Sequence, residues 1–188
     1  MRPSAGTPTD PAVYPAELER TLALKDGARV RIRPIRRDDA GRLIDLYARL
    51  GRTTAYQRFF TVMRRLPPDW ARLLADVDYR RRLALVAEEP GSDALIAVAR
   101  YMPCEDDVAE VAFVVQDGWQ DRGLGTALLH QLLAAAAARG IGRFRAYVLA
   151  DNRRMLDMLS RFTDIETRRH EAGVVEVTFR AKTGAPRR

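Results

Sequence analysis

The clearest hydrophobic pattern in the chain is an apolar run followed by a turn and a helical stripe. Residues 109–115 are apolar except for one acid, Glu110, which is typical of a buried strand bounded by turn residues. The turn pair Asp117-Gly118 follows, and leucines then recur at helical spacing from about residue 123 to residue 139. This stretch therefore predicts a strand, a turn and a helix in direct succession.

Further strands and helices are expected on both sides of this unit. Three short helical patterns lie between the first two predicted strands, and one more follows Asn152. The other predicted strands cover residues 29–33, 83–87, 94–101, 143–149, 164–169 and 174–180. The order predicts an α/β fold with a sheet of six or seven strands and helices on both faces.

The chain length is that of a single domain, which we place at residues 22–180. Residues 1–21 carry four prolines among small polar residues, which predicts a flexible N-terminal tail. Residues 181–188 are expected to form a flexible C-terminal tail.

Composition narrows the class of protein. No apolar run approaches the roughly 18 to 20 residues of a membrane span, and no signal peptide is evident, so we expect no membrane partner. The single cysteine, Cys104, cannot form an internal disulfide, which favours a cytoplasmic protein. The two histidines are isolated, so no metal site is predicted.

The chain is basic, with a formal net charge of +7. Its arginines are spread along the whole sequence rather than clustered, which does not favour nucleic-acid binding. A basic surface also suits an anionic cofactor or an acidic protein partner.

Two glycines, Gly123 and Gly125, stand at the start of the predicted helix after the apolar strand. Glycine lets backbone N–H groups approach an anion closely, and a helix N-terminus adds free N–H groups and a positive dipole end. No Gly-Lys-Ser/Thr ends this loop, and Leu128 occupies the third glycine position of a dinucleotide fingerprint. The loop thus suits a diphosphate, and the alternative is a purely structural turn.

The segment Gln120-x-x-Gly123-x-Gly125 after an apolar strand resembles the pyrophosphate loop of the GNAT acyltransferases, which bind acetyl-CoA there. The resemblance runs from about residue 25 to residue 180 and implies the GNAT fold, with a mixed twisted sheet. It implies that the thioester oxygen meets a backbone N–H of the central strand, at Val114 or Val115. The implied diphosphate contacts are Gln120, Arg122, Gly123, Leu124, Gly125 and Thr126.

Two of the implied cofactor contacts have simpler alternatives. Asn152 is expected at the pantetheine arm or a bridging water, but its residue type is also a common helix N-cap. Arg122 could equally be a solvated side chain with no ligand.

Several segments also resemble bacterial Pat-type protein lysine acetyltransferases. They are Arg33-Pro34-Ile35-Arg36 with Asp38-Asp39, Tyr56-x-Arg58-Phe59-Phe60, Asp76-x-Asp78-Tyr79, Ala109-Glu110, Trp119-Gln120-x-Arg122-Gly123-Leu124-Gly125 and Asn152-x-x-Met155. That family acetylates a lysine on AMP-forming acyl-CoA synthetases and other proteins, which implies the same acceptor class here. Many GNAT enzymes have a tyrosine that acts as general acid about seven residues after this asparagine, Asn152, but this chain has Leu159 there.

Glu110 is the candidate general base. A carboxylate inside an apolar strand is desolvated, which moves it toward basicity useful near neutral pH, and the family resemblance places a catalytic glutamate here. The alternative is that Glu110 faces outward or pairs with an arginine.

We therefore expect an acetyl-CoA-dependent N-acetyltransferase that acts on a protein lysine. The alternatives are an acetyltransferase for a small-molecule amine and a non-catalytic acyl-CoA-binding module, because fold alone does not choose the substrate.

Overall fold

The computed structural model describes residues 13–61, 65–105 and 107–182, in which a mixed sheet of eight strands forms the centre of the molecule. The strands are β1 (Arg20–Ala23), β2 (Arg29–Pro34), β3 (Leu83–Glu88), β4 (Leu95–Pro103), β5 (Val108–Val115), β6 (Arg143–Leu149), β7 (Thr163–Glu171) and β8 (Val174–Ala181). Their order in the sheet is β1-β2-β3-β4-β5-β6-β8-β7. The helices are α1 (Ala40–Ala48), α2 (Arg52–Phe59), α3 (Pro68–Ala75), α4 (Leu124–Ala137) and α5 (Arg153–Phe162).

Helices cover both faces of the sheet because side chains alternate along each strand. On one face, buried leucines of α4 such as Leu128 and Leu132 pack over odd-numbered β5 residues such as Val111. On the other face, α1 and α3 pack over Val114 and its neighbours in β3 and β4. The predicted α/β fold is confirmed, with β5 buried between the two layers.

The sheet has one strand more than the six or seven expected. The additional strand is β1, whose sequence Arg-Thr-Leu-Ala has no clear apolar alternation. It pairs antiparallel with β2, from Arg20 opposite Ile32 to Ala23 opposite Arg29. Pairing with β2, rather than its own sequence pattern, therefore makes this segment a strand.

The ordered chain also extends further than the predicted tails allow. Residues 13–21, assigned to a flexible tail from their composition, include a 3-10 turn at Ala16–Leu18 and the start of β1. Tyr14 packs edge-on against Tyr79, with ring centroids 5.7 Å apart, and Gln131 Nε2 donates to the Leu18 carbonyl at 2.6 Å. Of the predicted C-terminal tail, Ala181 ends β8. Residues 1–12 and 183–188 lie outside the described residues.

The feature that positions the site is a short parallel pairing between β5 and β6. The other neighbouring strands pair antiparallel, but β5 and β6 run side by side and pair only from Val108 opposite Arg143 to Glu110 opposite Arg145. Beyond Glu110 both strands continue without pairing to each other, to Val115 and to Leu149. A gap therefore opens in the middle of the sheet.

Candidate active site

A cleft of about 160 Å³ lies where β5 and β6 separate. Residues 110–115 of β5 form one wall, and Ala146, Tyr147 and Val148 of β6 form the other. The start of α4, the start of α5 and one side of α2 complete the lining, through Gly125, Asn152, Met155, Met158, Thr54 and Arg58 among others. The cleft thus brings together elements that are up to about a hundred residues apart in sequence.

Backbone amides of β5 face this cleft. The Gln116 N–H donates to the Ile96 carbonyl of the β4 side at 2.8 Å, and alternation then turns the Val115 and Phe113 N–H groups away from β4. The Val115 carbonyl is on the cleft side as well, since it accepts a hydrogen bond from Gln120 Nε2 at 2.9 Å. Val115 therefore fits the predicted thioester contact.

Val114 fits that contact less well. It pairs opposite Val98, so its N–H faces β4, and its side chain is buried against the α1 and α3 layer. The alternation places Phe113, which the sequence did not single out, beside Val115 as the second amide facing the gap.

The glycine loop, residues 120–125, closes one end of the cleft. Gly123 has φ of +89°, a left-handed conformation that favours glycine, and directly precedes α4. A Cβ on Gly125 would lie 3.8 Å from both Met158 Sδ and Val115 Cγ2, inside the cleft. The first intrahelical bond runs from the Ala127 N–H to the Gly123 carbonyl at 3.0 Å. Helix geometry then leaves the amides of Leu124, Gly125 and Thr126 free to bind an anion.

Leu124 is available to a ligand only through this backbone, since its side chain is fully buried. Lys25, in the turn between β1 and β2, was missed by the sequence analysis. Its side chain would contact a Cβ on Gly123 at 3.6 Å, which places a cation over the loop.

Two of the polar side chains predicted at the diphosphate, those of Gln120 and Arg122, are held by the protein itself. Gln120 Nε2 donates to the Val115 carbonyl and to Thr54 Oγ1, and its Oε1 accepts from Arg154. Arg122 forms an ion pair with Asp26 at 2.9 Å and stacks over the Trp119 ring. Gln120 thus connects β5, α2 and α5, whereas Arg122 links the glycine loop to the turn between β1 and β2.

Asn152 caps a helix and also lies at the cleft. Its Oδ1 accepts the Met155 N–H at 3.2 Å and caps α5, while the residue also lines the cleft. Among the described residues its side-chain N–H₂ has no acceptor, so these donors are available to a ligand.

Glu110 lies at the point where β5 and β6 part and lines the cleft, half-buried. Within the described part of the chain, no side chain forms an ion pair or a hydrogen bond with its carboxylate. Its neighbour Arg145 instead approaches Glu105 and Glu176, each at 3.8 Å. The arrangement leaves Glu110 free to take a proton from a group in the cleft.

Two aromatic residues also border the cleft. Tyr147 on β6 lines the cleft and was missed by the sequence analysis, because alternation along β6 does not show which strand lies beside it. Phe60 also lines it, in a left-handed conformation with φ of +55° that turns the chain at the end of α2. Phe59 packs on Tyr47 in the core, and Leu159 is fully buried.

A carboxylate fastens α2 to this site. Asp117 accepts the Gly51 N–H at 2.8 Å and the Thr54 hydroxyl at 2.7 Å. Burial alone would raise the pKa of Asp117, but these hydrogen bonds outweigh it, and the pKa lies below its usual value. The α2 wall therefore depends on a charged Asp117.

None of the helices in the described part of the chain is long and apolar enough to cross a membrane. In residues 13–61, 65–105 and 107–182, no three His, Cys, Asp or Glu side chains are grouped so that they could hold a metal ion.

Comparison with known proteins identifies the family. The model of the "Acetyltransferase (GNAT) family" matches residues 52–163. An acetyltransferase of Pseudomonas aeruginosa is 32% identical over 139 residues, which cover 72% of this chain and 75% of that protein. The acetyltransferase Pat of Mycolicibacterium smegmatis is 34% identical over 148 residues, 77% of this chain but 43% of that protein.

A solved structure agrees with these sequence matches. The GNAT domain of Streptomyces lividans PAT superposes with a TM-score of 0.81 at 36% identity, over 89% of this chain and 99% of that domain. Together with the cleft and its glycine loop, these similarities show that the chain belongs to the GNAT acetyltransferase family and is an N-acetyltransferase.

Proposed function

We propose that this N-acetyltransferase moves an acetyl group from acetyl-CoA to a lysine of a folded protein. The observation that carries the proposal is the gap between β5 and β6, which ends near the glycine loop. In this gap the Glu110 carboxylate, which has no partner among the described residues, lies close to strand amides that face away from β4. GNAT proteins use acetyl-CoA as the acyl donor, and the cleft has groups suited to each of its parts.

The residues fit the coenzyme as follows. The free amides of residues 124–126 and the Lys25 ammonium would bind the diphosphate, since both present positive charge to an anion. The pantetheine arm would follow β5, with Asn152 as a hydrogen-bond donor. The Val115 or Phe113 N–H would then hold the thioester oxygen as negative charge develops on it.

Glu110 would take the proton from the acceptor amine, directly or through one water. The free amine attacks the thioester carbon, a C–N bond forms, and the C–S bond breaks as CoA leaves as a thiolate. The thiolate accepts a proton from water or from Tyr147, whose side chain lines the cleft. The products are an acetamide and CoA-SH.

Two observations support a protein acceptor. The relatives named Pat and PAT are similar to this chain along most of its length, including residues outside the glycine loop. The formal net charge of +7 would attract an acidic protein surface at long range, with an association rate that falls as salt rises. By the resemblance noted from the sequence, the favoured acceptor is an AMP-forming acyl-CoA synthetase.

The test combines purified acetyl-CoA synthetase, acetyl-CoA and this protein, with mass spectrometry of lysine acetylation and an assay of synthetase activity. We expect acetylation at one or a few lysines together with a loss of synthetase activity, and Glu110→Gln serves as the control for spontaneous acetylation. Equal labelling by both proteins, with rapid acetylation of a polyamine or an aminoglycoside, would favour a small-amine acceptor. Tight acetyl-CoA binding without turnover on any amine would favour a non-catalytic module.

A further inference from the structure

Arg100 on β4 is a buried arginine that has no counter-ion among the described residues. It is 4% exposed, and its Nη1 donates to the Leu74 carbonyl at 3.1 Å. Its Nε and Nη2 are also buried, yet neither has a hydrogen-bond partner there. A charge taken out of water without a partner strongly destabilises a fold. The guanidinium therefore offers two unused donors and one uncompensated charge.

The groups around Arg100 add to this imbalance. The Tyr47 hydroxyl on α1 is buried and likewise lacks a hydrogen-bond partner among the described residues. Burial lowers the pKa of Arg100 to about 10, an interaction with Tyr47 opposes that shift, and the positive charge of Arg58 reinforces it. Two buried side chains with unused polar atoms, Arg100 and Tyr47, thus lie on the α1 and α3 face of the sheet, and the charge of Arg58 acts on the first of them.

This group is next to the reacting end of the cleft. Arg100 pairs opposite Ala112, which lines the cleft, and Glu110 is the diagonal neighbour two residues earlier on the same face. Diagonal neighbours on antiparallel strands have Cα atoms about 7 to 8 Å apart. Arg58 on α2 lines the cleft as well. Arg100 itself stands behind the β5 wall, on the neighbouring strand, so an anion entering beside Ala112 would meet Arg58 at the cleft and Arg100 behind it, on the same face of the sheet as Glu110.

We propose that Arg100, Arg58 and the Tyr47 hydroxyl form a subsite for a carboxylate that one of the two reactants carries into the cleft. The subsite rests on the proposed acyl transfer, and it would select among reactants for that transfer. The carboxylate has two possible sources: the free end of a dicarboxylic acyl thioester, or an acidic group beside the amine of the acceptor. In either case a guanidinium–carboxylate pair would satisfy the unused donors.

The first test needs no turnover. The thermal stability of the wild-type protein is measured with glutarate and with the neutral glutaramide at constant ionic strength, in the absence of CoA. The variant Arg100→Met removes the charge at similar volume, and the exposed Arg81→Met is the matched control. We expect glutarate alone to raise the melting temperature of wild type and Arg81→Met, and to have no such effect on Arg100→Met.

The variant without ligand separates a binding role from a structural one. An unpaired buried charge is costly, so Arg100→Met should melt at a higher temperature than wild type. A lower melting temperature, together with equal effects of glutarate and glutaramide on the wild type, would overturn the proposal and assign Arg100 to the packing of α1 and α3.

The second test identifies the source of the carboxylate. One arm compares succinyl-CoA with acetyl-CoA, and the other compares lysine peptides flanked by glutamate or by glutamine. We expect wild type to prefer the carboxylate in one arm by about 10- to 100-fold in kcat/KM, the range for hydrogen bonds to a charged group. In Arg100→Met that ratio should fall to near one.

The arm that shows the preference identifies the reactant. Acetyl transfer without preference in either arm would overturn the subsite while leaving the proposed function intact. A positive glutarate result without any acyl transfer would reject the proposed function and keep the subsite.

Discussion

At the scale of single residues, the proposed reaction depends most on Glu110 and Gly125, which both line the cleft. Glu110 is half-buried where β5 and β6 part, and Gly125 is close to Met158 and Val115 where the glycine loop begins α4. The first residue matters for the charge of its side chain, and the second for having no side chain. Substitution of each should therefore affect different steps of the same reaction.

Replacing Glu110 with glutamine keeps the size of the side chain but removes its basicity. Turnover should fall by about two to four orders of magnitude, the usual contribution of a general base, while acetyl-CoA affinity is retained. Steady-state kinetics across pH and calorimetry with CoA provide the measurement, and Glu105→Gln on the neighbouring exposed loop is the control. A small loss that high pH restores would mean that Glu110 assists the reaction without being required.

Gly125→Trp should abolish acetyl-CoA binding. The new side chain would start 3.8 Å from Met158 and Val115 and fill the space beside the free amides of α4. Calorimetry measures the affinity, and Gly41→Trp is the control because a Cβ there meets no atom within 4 Å. Unchanged CoA affinity in folded Gly125→Trp would contradict a coenzyme site at this loop.

At the scale of elements, α2 depends on the loop after β5 for its position. Asp117 accepts hydrogen bonds from Gly51 and Thr54, and Thr54 in turn accepts from Gln120. This chain of contacts sets the distance between α2 and β5, and with it the width of the cleft. The N-cap residue Gly51 has no side chain to cap the helix, and the Asp117 carboxylate instead accepts the Gly51 N–H and the Thr54 hydroxyl of the first turn.

Asp117→Asn should lower the free energy of unfolding by about 1 kcal/mol at pH 7, because a neutral amide oxygen accepts hydrogen bonds more weakly than a carboxylate and solvent screens this exposed site. The pKa of Asp117 is depressed in the folded protein, so its contribution is present above its unfolded value of about 3.9 and is lost as pH falls through the folded value. Urea unfolding at pH 7 and near pH 3 measures this. The gap between wild type and variant should narrow at the acidic pH, and a constant gap would show that charge is not the cause.

The elements also show how far a single sequence predicts the structure. The strand from Ala109 to Val115 and the glycines of the loop could be predicted, because their signals are local: an apolar β-branched run, a turn pair and two glycines before a helical pattern. The positions of Lys25 beside Gly123 and of Tyr147 at the cleft could not, because both depend on strand pairing that leaves no mark in their own segments. Arg122 was expected at the diphosphate, but its partner Asp26 lies almost a hundred residues earlier.

At the scale of the whole molecule, the sheet consists of two parts that share a short boundary. Strands β1 to β5 form one part, and β6, β8 and β7 form the other. They pair across the sheet at only three described positions, from Val108 to Glu110 with Arg143 to Arg145. The rest of that boundary is the cleft, whose strand amides at Phe113 and Val115 have no partner on β6.

A coenzyme bound along this boundary should therefore act on the sheet as well as on the reaction. At about 100 times its dissociation constant, CoA should stabilise the fold by about 2.7 kcal/mol, which for a protein of this size raises Tm by about 5 to 10 °C. Hydrogen–deuterium exchange should slow most at Phe113, Val115 and residues 146–149. Slowing confined to the glycine loop would mean that the pantetheine arm does not follow β5.

The missing strand pairs thus leave an unpaired boundary inside the sheet, which a bound coenzyme would bridge. Without acyl-CoA, β5 and β6 are joined only by this short pairing and by the hydrophobic core they share, and a bound coenzyme would add contacts to both strands. The same three-pair junction that makes room for catalysis should then make resistance to limited proteolysis a measure of the coenzyme available to the protein.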